Sequence, residues 1–352
     1  MKKLSEQKLS RRRLLGGAAV GTAALPVLHE LIPHKALHGG QAASAAEQGR
    51  DHARAAHSRG SGHRGTVGRV DPAVNGFDPT AILRDFDSGT VRREGGRRVR
   101  EWELMAEDKE IEVAPGVKFA AWTYNGRVPG PTLRAKEGEQ LRVRFTNASS
   151  HPHTIHFHGI HVAAEDGVPG IGAGNIEPGR STVYDLEARP FGVHLYHCHS
   201  TPLADHIAKG LYGAVVIDPK KGRPKADELV MVMNGFDTNF DRANEVYAVN
   251  TVAFAYVDQP VRVKRGELVR IYLVNILEFD LVNSFHIHAN FFDVFPTGTS
   301  LQPVELTDTI VQGQGQRAVL ELRFPYTGKY MFHAHVSEFA ELGWMGFFEV
   351  VD

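Results

Sequence analysis

The stretch His197-Cys198-His199-Ser200-Thr201-Pro202-Leu203-Ala204-Asp205-His206-Ile207-Ala208-Lys209-Gly210-Leu211 holds three histidines and the single cysteine of a 352-residue chain. One cysteine cannot close an intrachain disulfide, so Cys198 is a packing residue, a nucleophile or a metal ligand. Along a β-strand, side chains two apart point the same way and neighbours point oppositely. His197 and His199 therefore share a face, and Cys198 looks out of the other. With 19 histidines in the chain, the pattern points to metal.

Working outward, the same order of motifs occurs twice. Glu137-Gly138-Glu139 leads to Asn147, then His156-Phe157-His158, His197-Cys198-His199 and Gly213-Ala214-Val215-Val216-Ile217-Asp218. Arg265-Gly266-Glu267 leads to Asn275, then His286-Ile287-His288, His333-Ala334-His335 and Gly346-Phe347-Phe348-Glu349-Val350-Val351-Asp352. The offset is 128 residues at the asparagine (147 to 275), 130 at the first histidine pair (156 to 286) and 136 at the second (197 to 333). The chain thus holds one domain repeated, with small insertions. Short alternating or β-branched runs, such as Leu141-Arg142-Val143-Arg144-Phe145 and Leu268-Val269-Arg270-Ile271-Tyr272-Leu273, are separated by Gly and Pro turn signals, which predicts an all-β sandwich.

About one pair of histidines at spacing two is expected by chance in such a chain. Five occur, and four of them (156/158, 197/199, 286/288, 333/335) fall at matching places in the two repeats. On the Cys198 side the expected ligands are His153, Cys198 and His206, with Leu211 five residues on. Two imidazoles and a thiolate make the trigonal site of blue copper, and a leucine at the axial position cannot coordinate, which raises the potential. The eight paired histidines on the opposite face match the number a three-copper cluster needs while leaving positions open for dioxygen and water. The two sites are back to back, joined covalently through Cys198 and its neighbours.

Composition narrows the function further. Lys plus Arg number 40 against 41 Asp plus Glu, a net charge of -1, which argues against nucleic acid as a partner. No apolar run approaches the roughly 20 residues of a membrane span. Residues 1–45, with Ser10-Arg11-Arg12-Arg13-Leu14-Leu15 before an apolar stretch to Leu28 and small residues at Ala43-Ser44-Ala45, read as a twin-arginine-type signal and predict export to the cell envelope or beyond. Residues 46–75, including His52, His57 and His63, are too poor in large apolar side chains to bury a core and read as a flexible linker. The repeats then occupy 76–218 and 227–352, with Pro219-Lys220-Lys221-Gly222-Arg223-Pro224-Lys225 within an interdomain linker of 219–226.

From about Phe77 to Asp352 the chain resembles the two-domain multicopper oxidases of the cupredoxin superfamily, the group that includes small laccases. The resemblance is carried by Asn125-Gly126-Arg127-Val128-Pro129-Gly130-Pro131, His153 through Gly159, His197 through Leu211, Phe285 through His288 and Phe332 through His335. It implies two cupredoxin-like Greek-key sandwiches, type 2 copper on His156 and His286, and type 3 coppers on His158, His288, His197, His199, His333 and His335. Because Asn283 and Ala334 stand where the first repeat has His153 and Cys198, it implies one type 1 copper in domain 1 (the type C arrangement) and about four coppers per chain. It further implies a homotrimer with clusters between subunits, small phenolic or aromatic amine donors, electron transfer through Cys198 and His197 or His199, and reduction of dioxygen to water. Glu338, Glu341 and Asp166, with its neighbour Glu165, are the acids expected to relay protons.

Three other functions compete. Copper nitrite reductases share the two-domain trimer and resemble this chain at His158, His197 and His333, but carry a catalytic Asp where it has His156. Cuprous or other metal oxidases often have Met-rich segments, whereas only Met231 and Met233 cluster among six methionines here. A copper carrier or electron-transfer protein with no turnover would need only the Cys198 site and leave eight imidazoles unexplained.

Overall fold

The computed structural model describes residues 68–352; the export signal, the tail histidines and most of the expected linker lie outside the described residues. The last part of that linker departs from expectation. Asp71 caps a helical turn, Pro72–Asn75, by accepting the Ala73 N–H, and buried Asn75 both donates to Glu112 O (2.9 Å) and accepts from Glu112 N–H (2.7 Å). The Asn75 amide and a bond from Lys109 Nζ to Asn75 O (2.6 Å) hold this segment, both contacts set by tertiary structure, which is why composition did not show it.

Each repeat is a sandwich of two sheets. In the first, one sheet runs in the order Phe86–Asp87, Thr132–Lys136, Tyr212–Asp218, Gly192–His197, His156–Phe157. The other runs Thr90–Glu94, Arg97–Ala114, Gln140–Asn147, Ser181–Glu187, with Val117–Tyr124 also paired to Arg97–Ala114. In the second repeat, Val261–Lys264, Met345–Val351, Gly328–His333, Val282–Ile287 and Thr309–Gly313 form one sheet, and Val246–Val249, Asp227–Phe236, Leu268–Asn275, Arg317–Arg323, Phe292–Pro296 and Glu305–Thr307 the other. The repetition holds at the level of register. His156 pairs with His197 and His286 with His333 across antiparallel strands, so the two leading pairs and the two trailing pairs meet in the same way. Asn147 and Asn275, both fully buried, each pin a following loop by donating to backbone carbonyls, at 2.7 Å (His151 and Ile176) and 3.0 Å (Gln312).

Alternation sets which side chains go inward. Along Gln140–Asn147, Leu141, Val143 and Phe145 are buried while Arg142 and Arg144 point out. The strand Gly192–His197 is buried on both faces: Tyr196 and the following Cys198 enter the core of domain 1, and Val193 and Leu195 enter a second core shared with Val230, Val232, Tyr272 and Val274 of domain 2. Leu268–Asn275 is likewise covered twice, with Val269, Ile271 and Leu273 in the core of domain 2 and Tyr272 and Val274 in the shared one. Two-sided burial turns alternation into a continuous apolar run. Backbone bonds from Val193 N to Thr297 O (2.8 Å), Ala253 N to Val113 O (2.8 Å) and Val230 N to Leu83 O (2.8 Å) tie the domains together around that shared core. No helix among the described residues is long and apolar enough to cross a membrane.

Candidate functional site

Three elements bring His153, Cys198 and His206 together. Cys198 directly follows the strand Gly192–His197, and its N–H donates to Leu211 O (2.9 Å). His206 sits on the short helix Leu203–Ala208. His153 is held by a bridge to Ile176 through two backbone bonds, 3.1 and 3.0 Å, just before the strand His156–Phe157. The sulfur lies 3.2 Å from His206 Nδ1 and 3.8 Å from His153 Nδ1, and the two Nδ1 atoms are 3.1 Å apart, all buried. The Thr154 N–H donates to Sγ (3.3 Å). His153 Nε2–H donates to Ser149 Oγ (2.9 Å), whose hydroxyl donates to Asp108 Oδ1 (2.6 Å), so the Nδ1 facing Cys198 is the bare nitrogen. Burial lowers the His153 pKa to about 3, with the nearby His206 adding to the effect, and burial lowers His206 to about 4, so both rings are neutral donors at neutral pH. Burial pushes the Cys198 thiol up, so its thiolate needs a cation beside it. Leu211 is fully buried in the same core and brings only hydrocarbon.

On the opposite face His156, His158, His197 and His199 form one group. His158 Nε2 lies 2.9 Å from His197 Nε2, and the His156 ring centroid is 5.0, 5.5 and 5.4 Å from those of His158, His197 and His199. In domain 2, His288 Nε2 lies 3.0 Å from His333 Nε2, and His286 is 5.0, 5.3 and 5.3 Å from His288, His333 and His335. The supports match as well. His197 Nδ1 donates to Cys198 O (2.8 Å) and His333 Nδ1 to Ala334 O (2.6 Å); the N–H of His199 donates to Thr154 Oγ1 and that of His335 to Ser284 Oγ, both at 2.8 Å. His156 Nδ1 donates to Asp166 O (2.8 Å) and His286 Nδ1 to Asp308 O (3.0 Å). Each of these bonds to a carbonyl occupies Nδ1 and leaves Nε2 bare for a metal. Burial lowers His158 to about 3 and His197 to about 4. Among the described residues no ring contact or hydrogen bond joins the domain 1 group to the domain 2 group.

Sequence profiles described as multicopper oxidase match residues 105–222 and 223–352, one per repeat. The chain belongs to the multicopper oxidase family. A solved multicopper oxidase is 62% identical over 80% of this chain and all of its own, with a TM-score of 0.79. A copper nitrite reductase from Nitrosomonas europaea is 28% identical over 72% of this chain and 94% of its own, with a TM-score of 0.65. The copper-containing nitrite reductase of Neisseria meningitidis serogroup A is 31% identical over 73% of this chain and 68% of its own length. Copper resistance protein A of Escherichia coli is 38% identical over 35% of this chain and 21% of its own.

The donor sets of this multicopper oxidase, a copper oxidoreductase, fit the metal. A buried thiolate with two neutral Nδ1 donors suits copper by its softness, and the outward-facing groups supply imidazole alone. The second repeat keeps the fold of a thiolate site without its ligands: Asn283 and Ala334 are fully buried, and Asn283 Nδ2 and Trp344 Nε1 make no hydrogen bond.

Of the expected acids, Asp166 is brought to the histidines, with Oδ1 2.8 Å from His156 Nδ1 and 3.4 Å from His161 Nε2, while Glu338 and Glu341 lie exposed on the short helix Ser337–Glu341. Glu165 ends a 3₁₀ turn just before Asp166. His194 is a buried core residue, bonded through Nε2 to Pro190 O (2.8 Å), while its Nδ1 makes no hydrogen bond. Residue-by-residue reading did not anticipate Ser149 and Asp108 behind His153, Asp308 and Thr309 behind His286, or Trp122, whose ring lies 4.7 Å from His206 and 5.1 Å from His153. Ser149 lies four residues before His153, but nothing local marks its hydroxyl as the partner. Trp122 arrives from a strand far along the chain.

Proposed function

We propose that this multicopper oxidase is a laccase-like enzyme, exported by the twin-arginine route, that takes single electrons from phenolic or aromatic amine donors and uses them to reduce dioxygen. The observation that carries the reading is the pair of four-histidine groups with matching geometry. His153, Cys198 and His206 hold one ion; His156 and His286 hold a second; His158, His288, His197, His199, His333 and His335 hold two more, about four coppers per chain. Copper so bound supplies one-electron oxidation at the thiolate site and four-electron reduction of dioxygen to water at the cluster.

The chain's residues do the rest. Cys198 is joined by peptide bonds to His197 and His199, and the bond from His197 Nδ1 to Cys198 O (2.8 Å) shortens the path between the two ligand sets. Leu211 offers no axial donor and so favours a high potential. Asp166, bonded to His156, passes protons toward the oxygen being reduced, with Glu338 and Glu341 as outer relays. Because the two histidine groups make no contact within one chain, each cluster is completed by a neighbouring subunit in a closed head-to-tail trimer.

Nitrite reduction is the second reading, favoured by the 31% identity to a copper-containing nitrite reductase. The deciding experiment measures copper content, the visible copper–thiolate band and oxygen uptake with a phenolic donor. The oxidase reading requires about four coppers per chain and oxygen consumed without peroxide. About two coppers, nitrite turnover and no oxygen uptake would overturn it.

A further inference from the structure

Lys209 is a cation that forms no salt bridge among the described residues, placed beside the Cys198 ligand set. It follows the helix that carries His206, and its Nζ lies 5.1 Å from the Trp122 ring centroid and 4.4 Å from that of Phe240. Its hydrogen bond is to Ala120 O, at 3.3 Å. Three carboxylates act on it electrostatically, Asp205, Asp108 and Asp237, and each is engaged elsewhere. Asp205 pairs with Arg242 (3.4 Å), Asp108 accepts from Ser149 and Ser150, and Asp237 accepts the N–H groups of Asp241 and Arg242. Among the described residues Lys209 takes part in no salt bridge. Partial burial lowers its pKa, so an incoming anion would relieve an incompletely compensated charge.

The rings around this ammonium are held in place. The backbone N–H of Trp122 donates to Lys209 O (2.9 Å), which ties the strand and the lysine together, and the Trp122 ring lies against His206. Phe240 is 57% exposed and has a left-handed backbone, φ 62°. That conformation is costly for a bulky residue and persists because the surrounding loop is over-determined: Asp237 caps it from one side, and Glu245 accepts from Thr238 and Asn239 on the other. Phe240 also stacks on Phe119 (ring centroids 6.1 Å apart), so this exposed ring is both packed from below and held beside a cation that has no ion-pair partner among the described residues, which suits a binding surface.

We propose that Trp122, Lys209 and Phe240 form the docking subsite for the electron donor, and that it selects aromatic molecules carrying a negative charge, such as sulfonates and carboxylates. The ring of the donor lies against Phe240 and Trp122 and its anionic group meets Lys209 Nζ, beside His206; aromatic cations are disfavoured by Lys209 and Arg242. The docking role rests on the oxidase reading, whereas the binding does not.

The test uses the copper-loaded protein and isothermal titration calorimetry with two redox-inert probes, 2-naphthalenesulfonate and 2-naphthalenemethanol. The sulfonate should bind more tightly and weaken with added salt. Lys209→Met should weaken the sulfonate about fivefold while leaving the alcohol nearly unchanged, and Lys209→Arg should restore the difference. The KM ratio between a sulfonated and an uncharged phenol should move in parallel. Equal binding of the two probes, or a ratio unchanged in Lys209→Met, overturns the proposal. The visible thiolate band reports in each variant that the Cys198 site is formed. Sulfonate binding that depends on Lys209, in a protein that takes up no oxygen with any donor, supports the subsite and overturns the oxidase reading alone.

Discussion

Ser149 decides which nitrogen of His153 faces the sulfur. Its hydroxyl accepts from Nε2–H and passes the bond on to Asp108, which leaves Nδ1 as the donor toward Cys198. Ser149→Ala would strand a buried ring N–H at a cost of about 1–3 kcal/mol and loosen the orientation of the ring. Copper affinity at this site should fall roughly 10- to 100-fold, as for other lost partners of metal-binding imidazoles. Competition titration against a chelator, read through the copper–thiolate band, measures this, and Ser149→Thr should recover most of it. An unchanged affinity would mean that packing alone orients His153. At this scale the paired histidines were legible because their spacing of two and their recurrence in both repeats are local patterns. Ser149, Asp108 and Trp122 were not, because what each does depends on a contact set by tertiary structure.

Between elements, the strand that leads into Cys198 is seated by a glycine opposite an aromatic ring. Gly213 pairs with Tyr196, and a Cβ at 213 would fall on the Tyr196 ring; Gly346 pairs with Phe332 in the second repeat, where a Cβ would come 2.7 Å from the Phe332 ring. Tyr196 in turn donates to Pro131 O (2.8 Å), so the Asn125 to Pro131 motif is packed onto the same strand. Gly213→Ala should therefore push Tyr196 outward and destabilise by about 1–3 kcal/mol, the range for overpacked cores. Thermal denaturation gives the loss, and a weakened or shifted thiolate band would show that the displacement reaches Cys198. A fully stable variant with an unaltered band would show that the ring yields freely. The strands themselves were readable from alternation, as at Leu141 to Phe145. The double burial of Gly192–His197 and Leu268–Asn275 was not, since it arises only once the second domain covers the outer face of the first.

Across the whole molecule, charges bridge the two domains beside the linker. Arg134 pairs with Asp218 (2.9 Å) and with Glu228 of the second domain (2.7 Å), Arg270 pairs with Glu228 (2.9 Å) and Glu321 (2.7 Å), and Tyr272 donates to Glu228 (2.8 Å). Burial by itself would raise the Glu228 pKa, but Arg134, Tyr272 and Arg270 outweigh it and hold the carboxyl below its ordinary 4.5. A depressed acid contributes stability above that ordinary value and loses it as pH falls toward the folded value. Glu228→Gln should thus cost about 3 kcal/mol at pH 7, the low end for breaking a buried pair because 18% of the side chain remains exposed. The difference from the parent protein should shrink as melts are taken below pH 4.5; a deficit independent of pH would assign it to packing. The proposed assembly offers a sharper test at the same scale. A chain with His158→Ala has a broken domain 1 group and a sound domain 2 group; a chain with His288→Ala is the reverse. If each cluster takes one group from each of two neighbouring subunits, either variant alone is inactive. Co-expressed in equal amounts, they assemble about one sound interface in four, because each interface draws its two groups independently from the two chain types. Oxygen uptake per chain near a quarter of the parent's would follow. If instead one chain supplied both groups to its own cluster, the mixture would be as inactive as its parts.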